Sequence, residues 1–252
     1  MGNAVAFAAV IVVNSLAGGT TLLGGRNTAD VSAAYPTLIT PAGFTFSIWG
    51  VIYALLAAFI VFQLLPSHRQ DRFNRRVGYI FILSSLFNII WLFLWQYEYI
   101  TASVPLIFAL LVTLIIAYLR LGVGRAAAPR GERICVHLPF SVYLGWITIA
   151  SIADVSSGLV SVNWTGFGLV PSTWAQLVVL IALVITLLVI GTRRDPAFGL
   201  VVVWALIGIT ANQLAHPDVT IVTEASAVVV AAATLAVLYV VLARSGTKSV
   251  VQ

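Results

Sequence analysis

Eight stretches of this chain, roughly 4–23, 45–65, 77–97, 101–120, 134–153, 173–192, 198–214 and 221–243, are apolar almost without interruption. Each approaches the ~20 residues that a helix needs to cross ~30 Å of hydrocarbon. Hydrocarbon offers no partner to backbone N–H and C=O groups, so only helices and closed barrels span it. A barrel reads as ~10-residue strands of alternating polarity. These runs do not alternate, so helices are predicted. Composition agrees: 61% of the 252 residues are hydrophobic and 8% charged, against roughly 25% charged in a soluble domain. The expected fold is an all-α integral membrane protein with about eight transmembrane helices and no soluble domain.

The charges then orient the helices. Arg69, Arg72, Arg75 and Arg76 lie between runs two and three, and Arg120, Arg125, Arg130 and Arg133 between four and five. Arg193 and Arg194 lie between six and seven, and Arg244 and Lys248 follow run eight. Every second loop is basic, and only Arg26 falls on the other side. This positive-inside pattern predicts both termini in the cytoplasm, with the plasma membrane of a prokaryote as the expected location. It also accounts for the formal charge of +5 without nucleic acid. The first run lacks a basic segment ahead of it, so it is expected to be a retained helix rather than a signal peptide. The opposite face is expected to hold Asp30, Glu98, Asp154 and Asp218, all at helix ends or in loops, together with two long connections, 24–44 and 154–172. Long loops on one face often cover a site.

Several functions are disfavoured. Proton relays and most ion pumps place charges inside the membrane, and no Lys or Arg falls mid-helix. A retinal Schiff base needs a buried lysine, whereas Lys248, in the tail, is the chain's sole lysine. His68, His137 and His216 are far apart in the predicted topology and, with the single Cys135, form no metal-ligand cluster. Neither a metal nor a cofactor is expected.

The aromatic residues, by contrast, form stripes. Trp49 and Tyr53 are i and i+4 on run two. Ser84, Asn88, Trp91 and Trp95 step by four, three and four along run three, and Pro139, Tyr143, Trp146 and Ala150 do the same on run five. Such faces offer ring surfaces and a few hydrogen-bonding groups to a flat apolar ligand. The alternative is interfacial anchoring, for which Trp95, Tyr97, Tyr99, Trp164 and Trp174 are suitably placed. The alternative role for Asn88 is an interhelical hydrogen bond.

At these stripes the sequence resembles the TspO family of translocator proteins and tryptophan-rich sensory proteins. Pro41-Ala-Gly-Phe-Thr-Phe-Ser-Ile-Trp49-Gly-Val-Ile-Tyr53 is similar to the start of that family's second helix. Asn88-Ile-Ile-Trp91 resembles its third-helix Asn-x-x-Trp, and the segment from Leu138-Pro139 through Tyr143 and Trp146 to Ser151 resembles its fifth-helix motif. Thr40-Pro41 stands where the family has paired prolines, Phe44 where it has a nearby aromatic, and Asp154 where an Asn ends its fifth helix. The resemblance covers residues 1–155, a five-helix unit, and leaves 156–252 as three additional helices. It implies a membrane-bound sensor that holds a porphyrin, sterol or similar flat hydrophobe between helices two, three and five. The expected site comprises Pro41, Phe44, Trp49, Tyr53, Asn88, Trp91, Trp95, Tyr143 and Trp146. Trp49 and Trp146 match the family's pocket tryptophans, and porphyrin breakdown is implied by resemblance alone. A small-molecule transporter, with Pro139 and Gly208 as points of bending, is the second reading. A structural protein packing through Ala225, Ala227, Ala231, Ala232 and Ala233 is the third, and homodimerisation is left open.

Overall fold

The computed structural model describes residues 1–247 and, among them, contains helices and no strand. Eight long helices run in sequence: α1 (Gly2–Gly19), α2 (Ile48–Leu64), α3 (Ile80–Gln96), α4 (Ile100–Leu121), α5 (Leu138–Ser161), α6 (Pro171–Arg193), α7 (Pro196–Asn212) and α8 (Pro217–Thr247). Six of the apolar spans reach 18 residues or more, that of α2 by running on from the turn at Gly43–Ser47; α3 and α7, with 17 each, are shorter. At 1.5 Å per residue those two are about 25 Å long, a little under the hydrocarbon thickness. The chain is an all-α integral membrane protein. Lys248 and the side chain of Arg244 lie outside the described residues.

α5 is the axis. Seventy-two per cent of its apolar window is buried inside the molecule, whereas the other long spans have 17–39% buried. It packs on α4, α2 and α7; α1 and α3 complete one flank, and α6 and α8 the other. α5 meets α7 at Gly145, where an added Cβ would sit 3.2 Å from Val201. Ahead of α5, Arg133–His137 form a π-turn. Pro139 has no N–H to close onto the carbonyl of Cys135, and the widened turn accommodates that gap.

The three Arg-rich loops gather at one end. Arg76 donates to the Leu121 carbonyl (3.3 Å) and Arg125 to that of Thr192 (3.0 Å). Just inside, the buried Asp195 caps α7 by accepting from the Ala197 and Phe198 amides. It also accepts from Tyr118 (2.8 Å) and Ser141 (2.6 Å), tying α4, α5 and α7 together.

One sequence expectation changes. The connection expected over 154–172 is a helix as far as Ser161, so the loop proper is 162–170 and Asp154 stands inside α5. Of the alanines of α8, Ala225 and Ala232 are exposed, and Ala227 and Ala233 are half-buried against the core. Thr223, Ser226, Val230 and Thr234 are buried, and Thr234 packs so closely on α7 that a Cβ at Gly199 would meet it. The spacing of those four residues places them on one helical face.

Candidate functional site

At the other end of the bundle, residues 20–45 form a folded cap rather than a loose connection. Asn27 caps a short helix, Thr28–Ala34, and Gly43–Ser47 form a 3₁₀ turn leading into α2. The cap is fastened on two sides. On α3, the buried Gln96 amide donates to the Arg26 carbonyl (2.8 Å) and Trp95 donates to that of Thr28 (3.3 Å). Just beyond, Glu98 pairs with Arg26 (3.2 Å) and accepts from Tyr35 (3.0 Å). Burial, together with the Glu98 carboxylate, raises the Tyr35 phenol above its ordinary pKa. On α7, Trp204 donates to Thr45 (3.0 Å), Asn212 to Thr40 (3.0 Å) and Gln213 to Thr37 (3.1 Å). The Ala42 amide donates to the Gly208 carbonyl (2.9 Å). A Cβ at Gly208 would lie 2.0 Å from the Thr45 hydroxyl. Close packing against the cap, rather than bending of α7, is what the structure gives Gly208.

Beneath the cap is a cluster of rings. Trp49 stacks on Tyr53 (centroids 5.5 Å apart) and contacts Trp91 (6.1 Å), Tyr143 (6.1 Å) and Trp146 (6.2 Å). Trp91 stacks on Trp95, and Phe46 meets Trp146 edge-on at 6.0 Å. A cavity of about 50 Å³ lies among Pro41, Phe46, Trp49, Trp91, Trp95 and Trp146, closed on its far side by Val178, Val179 and Leu206 of α6 and α7. Ligand pockets usually measure about 300–1,000 Å³, so this one admits only a small group.

The expected site residues fall into three sets. Pro41, Trp49, Trp91, Trp95 and Trp146 line the cavity. Tyr53, Asn88 and Tyr143 pack in or beside the ring cluster without lining it. Asn88, fully buried, accepts from Asn14 of α1 (2.8 Å), and its own N–H₂ points towards the Tyr143 hydroxyl without hydrogen-bond geometry. Phe44 is brought to neither place; it is half exposed, edge-on to Trp204 at 5.5 Å. The 3₁₀ turn sends Phe44 outward and Phe46 into the cavity. Trp95 is buried rather than interfacial, while Tyr97 and Tyr99 are exposed as anchors should be.

Asp154 is the residue the sequence reading misplaced. It is 2% exposed and lines the cavity. One carboxylate oxygen accepts from Ser103 of α4 (2.9 Å); the other has no partner. The indole N–H groups of Trp91 and Trp146 and the Tyr53 hydroxyl are also buried without partners. Trp91 approaches Asp154 but does not bond it. Among the described residues, no cluster of three His, Cys, Asp or Glu side chains suits a metal ion.

A second, larger cavity of about 860 Å³ opens beside the first, between the end of α5, loop 162–170, the start of α6 and the end of α7. Trp164 and Trp174, whose rings lie 5.0 Å apart, form one wall, and Asn212, Gln213 and His216 another. Ile39 and Val178 line both cavities, so the two adjoin there.

Taken together, the bundle, the cap and the ring-lined cavity define a polytopic membrane protein with an aromatic pocket near one face. The sequence profile of the TSPO-like protein family matches residues 1–242, and the chain belongs to that family. The match runs through α6 and α7 into α8, beyond the 1–155 covered by the motifs. No curated protein and no solved structure matches the chain.

Proposed function

We propose that this protein binds a flat hydrophobic molecule of the tetrapyrrole or sterol kind from the end of the bundle opposite the Arg-rich loops. Those loops face the cytoplasm in this reading, by the positive-inside rule. The observation that carries it is the adjacency of the two cavities. The 860 Å³ chamber has room for the body of such a ligand, and the tryptophan cavity behind Ile39 and Val178 receives one edge of it. Family membership supports a binding role without naming the ligand.

The test is tryptophan quenching by protoporphyrin and by cholesterol with the protein in lipid nanodiscs. Ring stacking contributes ~0.5–1.5 kcal/mol beyond buried area, so Trp146→Ala and Trp174→Ala should each weaken binding roughly two- to ten-fold. Tyr99→Ala, an exposed anchor, should change nothing. Binding unaffected by both tryptophan replacements would remove the pocket assignment.

A further inference from the structure

The cavity holds an unanswered charge-bearing group, and that narrows the ligand. Asp154 is buried among Trp49, Trp91, Trp146 and Ile149, and one of its oxygens has no partner. A buried carboxylate left without a partner is costly, and the cost is removed by a donor or a cation. Ser103 fixes the orientation of the carboxylate by bonding the other oxygen, which leaves the free oxygen presented to the cavity wall. Aromatic rings around a small void supply the second half of a cation site, because their faces carry partial negative charge. Neither cavity is lined by a Lys or an Arg, so apart from the His216 imidazole in the outer chamber a carboxylate on a ligand would find no basic partner. Arg26, on the cap, is taken up by Glu98.

The sizes agree with this division. A cavity of about 50 Å³ is too small for a ring system but large enough for an ammonium group, and the 860 Å³ chamber beyond Ile39 and Val178 accommodates the rest of a molecule. We propose that the ligand of this protein is a hydrophobic amine, with its protonated nitrogen against Asp154 inside the tryptophan cavity and its apolar body in the outer chamber. This rests on the flat-ligand binding proposed above and, within that class, selects an amine over a carboxylate-bearing tetrapyrrole or a sterol. Asp154 is the specificity-determining residue, Ser103 positions it, and Trp91 and Trp146 enclose the cation.

Three probes that share one flat body separate the possibilities: pyrenemethylamine, pyrenemethanol and pyrenecarboxylate. Their binding is measured by pyrene fluorescence with the protein in nanodiscs of neutral lipid, using empty discs as the reference. Hydrogen bonds to charged groups are the stronger class, so the amine should bind on the order of ten-fold tighter than the alcohol, and the carboxylate weakest. Asp154→Asn, which keeps the shape and an acceptor for Ser103, should abolish the preference for the amine, bringing it down to the affinity of the alcohol. Equal binding of amine and alcohol by the wild type would overturn the amine assignment and leave the flat-ligand reading standing. An amine preference that survives Asp154→Asn would overturn the role of Asp154. Failure of all three probes, together with protoporphyrin and cholesterol, would remove the binding role and this inference with it.

Discussion

Buried polar residues do unequal amounts of work in this bundle. Asn14 and Asn88 make one interhelical bond between α1 and α3. Such bonds in membrane proteins average about 0.6 kcal/mol, because the separated helices also find partners. Asp195 differs, since it joins Tyr118 and Ser141 on two other helices while capping α7. Two side-chain bonds at that average, plus a helix cap at about 1 kcal/mol, come to roughly 2 kcal/mol. Asp195→Ala should therefore lower the thermal unfolding temperature in detergent clearly more than Asn14→Ala. Equal shifts would mean that Asp195 is no junction. Asp154, the other buried acid among the described residues, accepts from Ser103 at one oxygen and has the other to spare.

The cap and α7 form one working unit at the level of elements. Trp204, Asn212 and Gln213 donate hydrogen bonds to residues 37–45, Ala42 donates back to the Gly208 carbonyl, and Gly208 allows the backbones to approach. Gly208→Ala forces a Cβ into the space of the Thr45 side chain, and overpacking of this kind costs about 1–3 kcal/mol. The strain falls on the cap, so amide exchange over 37–45 should accelerate while α3 and α4 exchange as before. Uniform acceleration would show instead that the bundle as a whole had loosened. Local signals in the sequence explain what was readable at this scale. Apolar length marks the helices, and the i, i+4 spacing of Trp49 and Tyr53 and the i, i+3 spacing of Asn88 and Trp91 mark their inward faces. The end of α5 was not readable: Ser156-Ser157-Gly158 looks like a turn. In the structure Ser151, Ser156 and Ser161 return their hydroxyls to carbonyls one turn back, and Gly158 lets α4 approach closely, so the helix continues past Asp154. Phe44 and Phe46 were indistinguishable because a 3₁₀ turn, not the α2 register, decides which one points inward. The outer chamber left no signature at all, since its walls come from three segments distant in the chain, 36–39, 156–178 and 212–216.

For the whole molecule, the distribution of charge and the packing make one joint prediction about orientation. Arg76, Arg125 and Arg193 lie on loops that touch one another, through Leu121 and Thr192, so the basic loops share one end as a physical fact of the packing. The cap, Glu98 and loop 162–170 share the other. The positive-inside rule then predicts the Arg-rich end in the cytoplasm and the mouth of the outer chamber on the opposite side. Reporter domains inserted after Arg76 or Arg130, or fused at the C-terminus, should read cytoplasmic. Reporters at Asp30, within 162–170 or near Asp218 should read external. Asp154 is no longer a usable insertion point, because it is buried in α5 and an insertion there would break the axis of the bundle. The informative position is Asn163, since that loop follows the most buried helix and precedes the two that complete the cavity wall. A cytoplasmic signal at Asn163, with Arg130 also cytoplasmic, would mean that α5 does not cross. It would put the chamber mouth on the same side as the basic loops, and the proposed ligand would have to arrive from inside the cell.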